Sequence, residues 1–250
     1  MSATFLIARK EAGELLLSLR GLAWLMAMAV ALSVFGLLLV SNTELSLLDN
    51  AQVVYDMVGI VTALGAILAL VAGLDAVAGE RELGSLVPLL LTPASRDAIL
   101  AGKLGGVAIA WAVMYALALP YLWAVGSTGQ NLRQGMVVLA MLGSPVVLGF
   151  GFFGMGLGAR LASARAGLLT GLITLVLSAS PLLLGPSLRQ SVIGRAFDAV
   201  NPFSAAVNAY DAVIIDSQTI LAQWPHAAVA AGWLALTLWL ARSGFNRVAR

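Results

Sequence analysis

The chain has 250 residues, 60% of them hydrophobic and only 10% charged, and its mean hydropathy of +0.96 lies far outside the range of soluble domains. A soluble fold is therefore excluded, and 14 basic against 12 acidic residues leave a formal charge of only +2, which argues for no nucleic-acid partner. With no cysteine, disulfides and thiolate metal sites are excluded as well.

Along the chain, residues 1–20 place Phe5, Leu6, Ala8, Ala12, Leu15, Leu16 and Leu19 at helical spacings, with Arg9, Lys10, Glu11 and Glu14 among them. This pattern predicts an amphipathic helix lying on the membrane surface. A hydrocarbon core about 30 Å thick takes roughly 20 apolar residues to cross as a helix. Six charge-free runs meet that need: Gly21 to Thr43, Met57 to Leu74, Leu104 to Leu132, Gln134 to Ala159, Ala166 to Leu188 and Ser217 to Ala241. Backbone groups left unpaired in lipid are costly and the runs lack strand alternation, so the expectation is one all-α polytopic membrane unit over 1–250 with six transmembrane helices. No small-residue cleavage site clearly follows the first run, which is read as a retained span.

Six spans put both termini on one side, and the basic residues say which. Arg9, Lys10, Arg20, Arg81, Arg96, Lys103, Arg160, Arg165, Arg242, Arg247 and Arg250 fall on the terminal side, leaving Arg133, Arg189 and Arg195 on the other. By the positive-inside rule both termini are expected in the cytoplasm. Trp24 then marks the inner boundary, and Tyr55, Tyr121, Trp123, Tyr210 and Trp224 the outer one.

Small residues four apart, Gly65, Ala69 and Gly73, Gly154 and Gly158, Gly167 and Gly171, predict close helix packing within the bundle. Pro145 and Pro181 can kink or end spans four and five. The outer segment 186–225 is too long for a tight turn. Its apolar residues recur every three or four positions, predicting two short interfacial or re-entrant helices broken at Asn201-Pro202.

Residues 75–103 form the one sizeable loop on the cytoplasmic side. Glu80, Arg81 and Glu82 precede Gly84-Ser85, and Leu86 to Leu91 follow as an apolar patch that ends at Thr92-Pro93. Ser95 can cap the next helix, with Asp97 in its first turn. An apolar patch framed by charges, outside the membrane, predicts a docking surface for another protein.

The stretch "DAVAGERELGSLVPLLLTPASRDAILAGKLGG" resembles the signature of the membrane subunits of type-2 ATP-binding-cassette exporters, at Glu80, Glu82, Gly84, Ser85, Leu86, Pro93, Arg96, Gly102 and Lys103. The N-terminal "ARKE", the six spans and "NPFSAAV" fit the same architecture. The resemblance implies that this loop is a coupling helix seated in a cytoplasmic ATPase subunit, with Glu80, Arg81, Glu82, Gly84, Ser85, Leu86, Leu89, Leu90, Pro93, Arg96 and Lys103 carrying the coupling. It implies a permease that moves an unidentified substrate outward across a bacterial inner membrane, as a homodimer or with a paralogous partner. The loop is also similar to the permease of the system that matures the copper site of nitrous oxide reductase, and more faintly to the haem-related permease of cytochrome c maturation.

Gly102-Lys103 is followed by Leu104, and no phosphate-binding Gly-x4-Gly-Lys-Ser/Thr occurs, so ATP and its magnesium belong on the partner and no cofactor is expected in this chain. Two rival functions are an ion-coupled secondary transporter and an intramembrane enzyme. The first usually shows a mid-membrane ionisable residue and repeated halves, neither of which is visible. The second needs a nucleophile with a base, and Ser144 has only His226, at the far edge of the last span, to offer.

Overall fold

A computed structural model describes residues 2–41, 50–127, 131–183 and 191–248. Every regular element among the described residues is helical. Helix α1 (Ala3–Leu17) begins at Ser2, whose side chain accepts a hydrogen bond from the Phe5 amide, and ends at Ser18. There the chain turns directly into α2 (Leu19–Ser41), the first span. Most of its apolar side chains, Met26, Val30, Leu37 and Val40 among them, point outward as suits a face toward hydrocarbon, while Met28 and Leu32 turn into the core.

Helix α3 (Asn50–Leu74) is the second span, and it does not stop where the charges begin. It continues through a π-helical turn, Asp75–Gly79, into Glu80–Glu82. After Gly84 comes the short α4 (Leu86–Leu90), and α5 (Arg96–Gly126) starts eight residues before the apolar run at Leu104. The loop expected over 75–103 is therefore only 83–95, because charge marks where the bilayer ends and says nothing against a helix projecting beyond it. Helix α5 continues through Pro120 without a break.

The fourth span is α6 (Leu132–Val138), a π-helical segment Leu139–Gly143, and α7 (Ser144–Arg160). The wide turn precedes Pro145, which has no amide hydrogen for the preceding turn and would crowd it. Helix α8 (Ala164–Leu183) is shorter as an apolar span, with its apolar run over Ala164–Ser180, whereas among the described residues five other helical stretches are long and apolar enough to cross a membrane. The end expected for span five, 184–188, lies outside the described residues, as does Thr43 at the end of span one. The last span is α11 (Trp224–Val248), entered through a 3-10 turn Ile220–Gln223.

Two short helices precede that turn, divided at Asn201-Pro202 as the sequence predicts. Helix α9 (Val192–Val200) leaves Val192, Ile193 and Val200 exposed, but α10 (Pro202–Tyr210) is sunk among the spans. Asn201 explains the junction. Its Oδ1 accepts from the amides of Phe203 and Ser204 at 2.9 and 3.4 Å, and its Nδ2 donates to the Ser178 carbonyl of α8 at 2.7 Å. Tyr210 is accordingly fully buried, its hydroxyl 2.9 Å from Thr62 Oγ1 in α3, and not at the outer headgroup boundary where an aromatic at that sequence position is expected.

The centre of the bundle is α3 against α7. A methyl group at Gly73 would overlap the Gly151 carbonyl oxygen, one at Gly154 the Leu70 carbonyl, and Gly171 of α8 faces the Leu70 side chain. The small-residue stripes thus serve packing around α3, where close backbones supply dispersion that lipid cannot.

Candidate coupling site at the charged end of the bundle

The charges of residues 80–82 are spent inside the subunit. At the end of the π turn, Glu80 Oε1 accepts from Lys10 Nζ of α1 at 3.2 Å, and Oε2 lies 2.7 Å from Lys103 Nζ of α5 with poor hydrogen-bond alignment. Lys103 Nζ also donates to Glu11 Oε1 at 2.8 Å, and Lys10 reaches Glu14 at 3.3 Å. Lys103 is 0% exposed and Glu11 3%. A lysine this deep keeps its charge only with carboxylates in contact. Burial pushes the Glu11 carboxyl above its ordinary range, against the opposing pull of Lys103. For Lys10 burial works downward, but the Glu80 hydrogen bond and the charges of Glu80, Glu11 and Glu14 outweigh it and raise the pKa.

Glycine makes this possible. A Cβ at Gly102 would meet the Ile7 side chain at 2.6 Å, and α1 can lie on α5 only because none is there. The Gly102-Lys103 pair is thus a seat for α1: the glycine admits the helix and the lysine pairs with it.

The next two charges point elsewhere. Arg81 Nη2 donates to the Leu161 carbonyl at 2.5 Å, in the connection between α7 and α8. Glu82 Oε1 accepts from the Ala164 amide at 2.7 Å, capping the first turn of α8, where the helix dipole favours an anion. Asp97, in the first turn of α5 behind the Ser95 cap, takes Arg242 of α11 at 3.2 Å. In the same corner Arg160 donates to the Leu240 carbonyl at 2.6 Å and to the Ser243 hydroxyl, tying α7 to α11. Residues 80–82, continuous with α3, are therefore fastened to α1, α5 and the start of α8, while α11 is tied to α5 through Asp97 and to α7 through Arg160.

The elbow between α3 and α4 is set by Gly84 at φ +72°, a left-handed conformation that favours glycine, with the Ser85 amide returning to the Glu80 carbonyl at 2.9 Å. Leu86 turns inward, 2% exposed, and Leu89 and Leu90 pack partly against the core. Leu83, Val87 and Leu91 face out, at 83, 62 and 81% exposed, with Pro88, Pro93 and Arg96 also exposed. Lys103 and Glu80 are paired inside the subunit, Leu86 is buried behind the elbow, and Leu89 and Leu90 are half-buried. Val87 and Leu91 belong to the apolar patch expected from the sequence, and Leu83, on the other side of the Gly84 elbow, is a third exposed apolar side chain that was not among the expected residues. Glu11 was also missed as a partner, since only the fold brings it to a lysine 92 residues away.

Among the described residues Ser144 and His226 have different neighbours. Ser144 Oγ accepts from Trp111 Nε1 at 2.9 Å, while His226 lines an outer cleft with Arg195 and Asp198.

These features define a polytopic α-helical membrane protein whose charged end locks its helices into one body and offers an apolar elbow outward. The chain belongs to the ABC-2 family transporter proteins, whose family model matches residues 5–249. No curated protein matches it. Membership makes the chain a membrane-embedded transport component and not itself a catalyst, and it implies an ATPase partner on the cytoplasmic side.

Proposed function

We propose that the chain is the permease subunit of an exporter, moving an unidentified substrate outward on ATP hydrolysed, with magnesium, by a separate subunit that docks on residues 80–96. The observation that carries this reading is the elbow at Gly84, which presents Leu83, Val87 and Leu91 to solvent while Leu86 anchors it from behind. Three exposed apolar side chains on a braced turn are suited to filling a cleft on another protein. Force applied there reaches α3 through the backbone, α1 and α5 through Glu80, and α8 through Arg81 and Glu82. The chain works as a homodimer, the simplest way to complete a path from subunits of this size. Its termini are cytoplasmic and its membrane is the bacterial inner membrane, in keeping with the basic residues gathered at the charged end.

The test is purification of the intact protein from its native membrane in mild detergent, with identification of co-purifying subunits and an ATPase assay. A cassette ATPase is expected, and Leu83→Asp with Leu91→Asp should release it while leaving the melting temperature of the permease in place. Recovery of a pure oligomer with no nucleotide dependence, or an ATPase retained by that double variant, would overturn the proposal.

A further inference from the structure

Two arginines at the charged end have no carboxylate to balance them. Arg160, the last residue of α7, reaches across to α11: its Nη1 donates to the Gly156 carbonyl at 3.1 Å and to the Leu240 carbonyl at 2.6 Å, and its Nη2 donates to the Ser243 hydroxyl. Gly244 makes room for that crossing, since a Cβ there would come within 2.9 Å of Arg160 Nη1. All of these acceptors are neutral, so the guanidinium is held in place with its charge uncompensated. Arg247, exposed in the last turn of α11, lies close enough for its charge to act on Arg160. Among the described residues neither arginine forms an ion pair. The carboxylates of this corner are engaged elsewhere, Asp97 with Arg242 on another side of α11 and Glu82 with the Ala164 amide. The C-terminal ends of α7 and α11 favour cations, but each amounts to about half a negative charge, which leaves roughly one positive charge over from the two arginines.

The surface beside them suits hydrocarbon. Leu236, Trp239, Ser243 and Arg247 follow one another at helical spacings, so they share one face of α11. Leu236 is 50% and Trp239 63% exposed, on a helix long and apolar enough to cross the membrane, so this part of the face meets lipid. From Leu236 to Arg247 the face runs about 16 Å, comparable with half of a hydrocarbon core about 30 Å thick. It therefore leads from acyl-chain depth to the paired guanidiniums. Guanidinium groups hold phosphate oxygens through parallel N–H donors, with geometry as well as charge in their favour. A zwitterionic head would bring its own ammonium up to two cations and find no free carboxylate beside them. The complementary lipid is one whose head is net negative.

We infer that Arg160 and Arg247 bind the phosphate of an anionic phospholipid from the leaflet at the charged end, with an acyl chain lying along Trp239 and Leu236. Arg160 is already oriented by its hydrogen bonds, so binding costs it little conformational freedom, and Arg247 meets the phosphate from the last turn of α11. The inference rests on the membrane setting and on the chain's own arginines, and not on the proposed exporter function.

The protein is reconstituted in phosphatidylcholine nanodiscs and the fraction of phosphatidylglycerol brominated on the upper part of its acyl chains is raised stepwise. Bromine quenches an indole on contact, and the signal of Trp239 is the difference between wild type and Trp239→Phe. Quenching is expected to saturate at a mole fraction about fivefold lower than with phosphatidylcholine brominated in the same way. Arg247→Gln should remove that preference and Arg247→Lys should keep most of it. Arg242→Gln, which removes the same charge from another side of α11, should leave the preference in place, and so separates a site from the general attraction of a basic surface. Melting temperatures report whether each variant is folded. Equal quenching by the two brominated lipids, an equal loss in the folded Arg242→Gln and Arg247→Gln proteins, or displacement of the lipid by soluble glycerol phosphate would overturn the inference.

Discussion

Replacing Lys103 by methionine removes the one fully buried ammonium and leaves Glu11 and Glu80 at the same junction with only the half-exposed Lys10 to balance them. Breaking a buried ion pair from one side costs about 3–5 kcal/mol, because the surviving charge stays desolvated. For a chain of this size about 1 kcal/mol moves the melting temperature by roughly 2–4 °C, so a drop of about 6–20 °C is expected in detergent at pH 7.5. The sign of its pH dependence follows from Glu11. A carboxyl whose folded pKa is raised contributes stability that is complete below its ordinary value of 4.5 and is lost as pH rises through the raised value. Lys103 is what restrains that rise, so Lys103→Met widens the window toward neutrality, and the deficit should shrink at pH 5, where the carboxyls take up protons. Replacing the triad together, Glu11→Gln, Glu80→Gln and Lys103→Met, should recover much of the loss, since a neutral set no longer buries charge. A Lys103→Met protein that melts within 2 °C of wild type by about the accuracy of such scans, or a deficit equal at both pH values, would refute the reasoning.

Gly73→Ala should destabilise the bundle by about 1–3 kcal/mol or more through the clash with the Gly151 carbonyl, whereas Gly59→Ala, in the same helix with nothing within 4 Å, should be neutral or stabilising; thermal melts of the pair decide. Tyr210→Phe removes the contact with Thr62, which keeps its own bond to the Val58 carbonyl at 2.9 Å. A loss of about 1 kcal/mol is expected, and Thr62→Val should add little to it in a double-mutant cycle. Asp97→Asn breaks an ion pair whose side chains are 67 and 61% exposed, and the melting temperature should move by no more than about 0–1 kcal/mol would shift it.

Helical class, the main spans and the break at Asn201-Pro202 were legible in the sequence because each depends on local chemistry: apolar length, absence of charge, a capping amide before a proline. The charged stretch at 75–103 was also visible as the place of interest, and family membership bears out the resemblance its motif carried. Which of its side chains face outward was not legible. Glu80 and Lys103 look like surface charges by type, and only the approach of α1 across Gly102 turns them into a buried pair. Likewise the leucines from 86 to 91 are alike in sequence, and the elbow at Gly84 decides that Leu86 goes in while Leu91 stays out. That the chain is a helical bundle in a membrane follows from its residues alone, because transfer free energy adds up residue by residue along the chain. The tertiary structure alone decided which charges are ties and which surface is offered, because burial and ion pairing depend on neighbours distant in sequence.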